Sequence, residues 1–93
     1  QVADAGLEHL KALTNLQSLY LSSTGVTATG LVHLKDLNYL QDLNLSNTQV
    51  TDAGLEHLKG LTNLRHLNLE NTQVTDEGVK KLQQALPNCE ISH

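Results

Sequence analysis

The chain has 93 residues and a formal net charge of −4, with a single Cys and almost no aromatic side chains. That length allows one domain with a small core, and the acidic balance argues against nucleic acid, whose recognition rests on clustered Lys and Arg. Cys89 alone excludes an internal disulfide and a Cys-based zinc site, and no apolar run approaches the roughly 20 residues that cross a bilayer.

In chain order the hydrophobic period changes repeatedly. Leu7, Leu10 and Leu13 are spaced by three, as one buried stripe of a helix would be, and Leu19 to Leu21 then alternates as a strand does. The cycle recurs in Leu31, Leu34 and Leu37 followed by Leu43 to Leu45, and again in Leu55, Leu58 and Leu61 followed by Leu67 to Leu69. Thr27, Thr51-Asp52 and Thr75-Asp76 stand where helix N-caps belong, with acidic groups near the positive end of the dipole. Each block therefore predicts a strand, a loop and a helix of about ten residues. After Leu82 the register slips by one to Leu86, and Pro87-Asn-Cys-Glu-Ile91 predicts a shortened last strand. Cys89 there is expected to be a small buried apolar residue and not a reactive thiol.

Blocks of 24 residues align Val2, Val26, Val50 and Val74, then Gly6, Gly30, Gly54 and Gly78, then Leu10, Leu34, Leu58 and Leu82. Thr24, Thr48 and Thr72 form another column. With no Phe, Trp or Met, Leu and Val must fill the interior, which suits one pocket repeated in layers. The blocks run about 2–25, 26–49 and 50–73, with a terminal cap over 74–93, as a single domain spanning 1–93. Because Gln1 lies inside a block, the chain is expected to be a piece of a longer protein, so the lack of a signal peptide does not identify a compartment. One Cys fits a reducing compartment such as the cytoplasm.

Leu16-Gln-Ser-Leu-Tyr-Leu-Ser-Ser-Thr24 resembles the leucine-rich repeat signature L-x-x-L-x-L-x-x-N, as do Leu40 to Thr48 and Leu64 to Thr72. Thr24, Thr48 and Thr72 replace the family's usual Asn or Cys. The following Val-Thr-Asp-x-Gly-Leu stretch is similar to the cysteine-containing, ribonuclease-inhibitor-like class and to bacterial repeats with Thr at this position. No F-box is present, so that class's ubiquitin-ligase role does not carry over. The resemblance implies an α/β solenoid, a right-handed superhelix with parallel strands on the concave face and helices on the convex face. Strands sit about 4.8 Å apart while helices need about 8–10 Å, so such a stack bends. The Thr column is expected to form a hydroxyl ladder satisfying loop amides between repeats, and the Gly column to allow close approach of neighbouring helix starts.

Polar residues between the strand leucines form the candidate binding face. Tyr20 and Arg65 lead it, because Tyr and Arg dominate interface hot spots. Asp42, His66, Asn44, Asn68 and Glu70 follow as adjustable polar contacts, and the Ser23, Asn47 and Asn71 column belongs to the same face. Its bland alternative is an ordinary hydrated sheet surface. Ser18, Asp42 and His66 invite a catalytic-triad reading, but strand order puts Asp between Ser and His, whereas triad chemistry needs His in the middle. No enzyme is expected. An Asp42–His66 contact across neighbouring strands is expected instead. His9, His33 and His57 repeat at 24, yet helix spacing keeps them too far apart for one zinc ion, and no metal or other cofactor is expected. Lys11, Lys35 and Lys59 form a similar solvated row, with Glu8 and Glu56 three residues before the first and last.

The leading expectation is a non-catalytic module binding a protein through the concave face, with neither nucleic acid nor a membrane as partner. The alternatives are a structural segment of a longer array that self-associates end to end, and carbohydrate or cell-wall binding. Val2, Leu7 and Leu10 lack a cap, so self-association through the first repeat, or a frayed first helix, is expected.

Overall fold

The computed structural model describes residues 10 and 12–93. The first block's Val2 and Leu7, and with them the expected uncapped helix, lie outside the described residues. So do His9, Lys11 and Glu8.

Four strands, β1 (Ser18–Tyr20), β2 (Asp42–Asn44), β3 (His66–Asn68) and β4 (Glu90–Ser92), form one sheet in the order β1-β2-β3-β4. Every pair is parallel. Leu19 pairs with Leu43, Leu43 with Leu67 and Leu67 with Ile91, so the sequence period becomes the sheet register without slippage. Side chains alternate along a strand, which turns Leu43, Leu45, Leu67 and Leu69 inward and leaves their polar neighbours on the open face. The inward leucines are buried, together with Leu31, Leu34, Leu37, Leu55, Leu58 and Leu61 from the opposite wall. This architecture is an α/β leucine-rich repeat solenoid.

The opposite wall differs from the helices that spacing alone suggested. Residues Gly30–Leu34 form a 3-10 helix, α1 (Asp52–Leu55) gives way to a 3-10 turn at Glu56–Leu58, and α2 (Asp76–Ala85) alone runs for ten residues. The cause lies in the leucine spacing. A strict period of three, as in Leu31, Leu34 and Leu37, matches the three residues per turn of a 3-10 helix. Val79, Leu82 and Leu86 are spaced by three and then four, which matches the 3.6 of an α-helix. The slip after Leu82 marks this change of helix type.

The Thr column also works differently from expectation. Thr24, Thr48 and Thr72 each donate to the carbonyl three residues upstream, Leu21, Leu45 and Leu69, at 2.7 Å. The hydroxyl closes its own turn and does not reach an amide of the next repeat, because backbone groups already span that gap. Ser23 N donates to Ser46 O and Asn47 N to Glu70 O, each at 2.9 Å. Ser23, Asn47 and Asn71 sit in the left-handed region at φ 59°. Asn tolerates that conformation better than most side chains, so this column sets the turn leaving the strand.

Leu13, expected to point inward, is 50% exposed. Its counterparts Leu37 and Leu61 are covered by units on both sides, whereas among the described residues Leu13 has a following unit only.

A side-chain clasp joins the last two units. Asp52 accepts from the Thr75 amide at 2.8 Å and from the Thr75 hydroxyl at 2.5 Å. The Thr75 oxygen in turn accepts from Gly78 N at 3.1 Å, capping α2. Gly78 leaves room for this clasp, because a Cβ at that position would displace the Asp52 carboxylate. One unit earlier Ala28 stands in place of Asp52, and Thr51 makes no side-chain cap bond. The Thr75 hydroxyl, and secondarily its amide, hold the Asp52 carboxyl below its ordinary 3.8. A depressed folded pKa means that the clasp's contribution is complete above 3.8 and is lost as pH falls through the lower folded value. Asp52→Ala is expected to cost about 1 kcal/mol at neutral pH, after allowance for partial exposure, and Ala28→Asp to raise stability by supplying the missing clasp. Urea denaturation at several pH values measures both, and the Asp52→Ala deficit should shrink below pH 3.8.

Candidate functional site

The short strands present three outward rows across the sheet. Ser18, Asp42, His66 and Glu90 form one row in direct register, and Tyr20, Asn44, Asn68 and Ser92 form the next. Neighbouring residues in a row lie one strand spacing apart, about 4.8 Å. The third row, just beyond the strands, includes Ser46, which is buried, and the exposed Glu70.

The asparagines are positioned by their own turns. Asn44 Oδ1 accepts from Ser46 N at 2.9 Å and from Ser46 Oγ at 2.8 Å, and Asn68 Oδ1 accepts from Glu70 N at 2.9 Å. These bonds use the amide oxygens locally and fix both side chains in orientation. Tyr20 has no such tether to its own strand's turn, and the residue is 68% exposed.

Charges on the face pair otherwise than sequence reading suggested. Asp42 Oδ2 accepts from Ser18 Oγ at 3.3 Å, and His66 Nδ1 lies 3.5 Å from Glu90 Oε1. The expected Asp42–His66 contact is thus replaced by contacts on the far side of each residue. Both groups have a neighbour on either hand in the row, and the histidine turns towards the next carboxylate and not the previous one. Ser18, Asp42 and His66 keep the order that separates the hydroxyl from the imidazole, so the row's one hydroxyl has a carboxylate beside it and not the imidazole of a triad.

Tyr20, Asp42, Asn44, His66, Asn68 and Glu90 surround a shallow hollow of about 270 Å³. Arg65 stands apart from it. It borders a second depression at the entry side of the strands, with Gln41, Asn63 and Asn88, and His66 and Glu90 line both. The structure therefore brings five of the seven sequence-chosen residues to one hollow, Tyr20, Asp42, Asn44, His66 and Asn68, and leaves Arg65 and Glu70 outside its lining.

Three residues of the surface were missed. Glu90 and Ser92 follow from adding 24 to His66 and Asn68, a step that the altered spacing after Leu82 obscured. Tyr39 is 58% exposed in the turn before β2. Its signal was an aromatic residue in a column that otherwise holds Asn15 and Asn63. Below this turn Asn63 Nδ2 donates to Asn38 O at 2.7 Å, linking successive units.

Among the described residues no three His, Cys, Asp or Glu side chains gather as a metal site, and no helix is long and apolar enough to cross a membrane. Cys89 is buried at 5% exposure, in the turn that Gln83 secures by donating to Leu86 O and Cys89 O. Burial, and then the Glu90 charge, push its thiol from 9.0 up to about 11. That lowers the thiolate fraction about a hundredfold at pH values below both. Iodoacetamide labelling of Cys89 should accordingly be at least about a hundredfold slower in the folded chain than in urea, as followed by mass spectrometry.

The family model for the leucine rich repeat matches residues 14–74. The match is to the repeat family as a whole and does not single out the cysteine-containing class. No curated protein matches the sequence. Among solved structures, a leucine-rich repeat protein of Leptospira interrogans matches with a TM-score of 0.65 and 23% identity, over 92% of this chain. The chain spans 27% of that protein's length, and at this identity the likeness is one of fold.

Proposed function

The chain belongs to the leucine-rich repeat family, and from that premise we propose a non-catalytic module that takes a protein partner on its concave sheet face. Leucine-rich repeat domains generally mediate protein–protein interactions, and such repeats are typically non-enzymatic scaffolds. The observation that carries the choice of face is Tyr20, a large aromatic 68% exposed above a row of polar groups. An exposed Tyr offers contact area at a low entropic cost of ordering, which is why such residues anchor interfaces. Beside it, Asn44 and Asn68 are already held by their turns, so less freedom is lost when a partner binds.

Size shapes the proposal. Four three-residue strands about 4.8 Å apart present about 200 Å², against about 800 Å² per partner in a standard interface. The partner accordingly engages this face as part of a longer row of repeats, with Arg65 and Glu70 extending the contact beyond the hollow.

A quantitative pull-down comparing the wild type with a Tyr20→Ala/Arg65→Ala variant tests the proposal. Specific prey should drop by about tenfold or more, the scale of losing one strong hot-spot residue. Equal recovery of every prey would overturn concave-face binding and favour a structural segment of an array.

A further inference from the structure

We propose that the segment bound on the concave face is cationic, an extended protein stretch whose Lys or Arg side chains meet Asp42 and Glu90 beside the Tyr20 ring. This inference rests on the concave-face reading and adds the chemistry of the partner.

Among the described residues lysines are sorted by face, while carboxylates occur on both. The described lysines all stand on the helical side: Lys35 and Lys59 directly follow the 3-10 segments, and Lys80 and Lys81 lie in α2. There the helical glutamates have cations of their own, Glu56 with Lys59 at 3.0 Å and Glu77 with Lys81 at 3.8 Å. The sheet side carries Asp42, Glu70 and Glu90 against a single guanidinium, Arg65, which lies outside the hollow's lining and borders the second depression, itself also lined by His66 and Glu90. Among the described residues no Lys or Arg forms an ion pair with Asp42 or Glu90. Asp42 has the Ser18 hydroxyl at 3.3 Å, and Glu90 has the His66 ring at 3.5 Å.

The hollow adds shape to charge. Its two carboxylates sit on β2 and β4, two strand spacings or about 9.6 Å apart at the backbone. In a polyproline II segment, residues three apart on one edge are separated by about 9.3 Å. Basic side chains at that interval would meet Asp42 and Glu90 together. Tyr20 on β1 offers a ring face that attracts a cation by its quadrupole, and the amide groups of Asn44 and Asn68 can donate to the segment's carbonyls. A carboxylate-rich segment would meet like charge in the same place.

The test is a fluorescence-anisotropy and NMR titration with three peptides, repeating Arg-Pro-Pro, Gln-Pro-Pro and Glu-Pro-Pro. The Arg peptide is expected to bind most tightly, to move the backbone signals of Asp42, Asn44, His66 and Asn68, and to weaken with added salt. Asp42→Asn/Glu90→Gln should reduce its affinity by at least about threefold, the scale of an exposed ion pair. Asp36→Asn/Glu77→Gln removes the same charge from the helical side and should leave the affinity unchanged. Equal weakening by both variants would reduce the effect to net charge and overturn the inference. If the Gln peptide binds the same concave residues as tightly as the Arg peptide, the cationic partner falls while the concave face stands. An Arg peptide that moves only helical-side signals overturns both, and one that moves none overturns the cationic partner whatever the pull-down shows.

Discussion

Backbone hydrogen bonds between consecutive units hold this molecule in its shape. Leu21 N donates to Asn44 O and Leu45 N to Asn68 O, each at 2.8 Å, and Leu69 N donates to Ser92 O at 2.7 Å. At the first residue of each following strand the pattern also recurs: Asp42 N donates to Gln17 O at 3.1 Å, His66 N to Gln41 O at 3.0 Å and Glu90 N to Arg65 O at 2.7 Å. A three-residue strand is too short to persist alone, and one unit cannot cover its own leucines. Pairing at a constant offset solves both problems, because the bonds that satisfy one strand also bring the next unit's leucines over the last. The core of Leu and Val is therefore continuous from Leu21 to Leu86, and side-chain devices such as the Asp52 clasp refine a stack that the backbone has already built.

The same bonds determine what the open face can do. Because the register never slips, each polar residue has a fixed neighbour one strand away, and chemistry that needs another order is ruled out. Ser18 meets Asp42 and His66 meets Glu90, which makes the row a set of charged and hydrogen-bonding groups and not a catalytic relay. Asn44 and Asn68 contribute twice, securing the exit turns through their oxygens while standing at the hollow. A face built in this way is polar and open. Such a surface suits recognition of an extended segment better than enclosure of a small molecule.

Much of the fold was readable from the residues because a layered core repeats its demands. Leu19 to Leu21 and its copies could only be strands, and their common offset of 24 had to become the register. Helix type was harder to read. Spacing by three reads as an α-helical stripe, although three residues per turn is the signature of the 3-10 segments observed at Gly30–Leu34 and Glu56–Leu58. Small polar residues were the least readable. Thr24, Thr48 and Thr72 each had two plausible partners, a carbonyl in their own turn or an amide across the gap, and only the backbone path decides between them. Asn47 and Asn71 looked like surface groups but serve the left-handed turn. The orientation of His66 depended on Glu90, a residue whose place in the row became visible only once β4 had paired.

The most direct test of the stack is detection of scalar couplings across its hydrogen bonds by NMR. Correlations should link Leu21 N to the Asn44 carbonyl, Leu45 N to that of Asn68 and Leu69 N to that of Ser92, the same step repeated three times. Correlations that paired these strands antiparallel, or at an offset differing from one junction to the next, would contradict the shared register and the surface built on it.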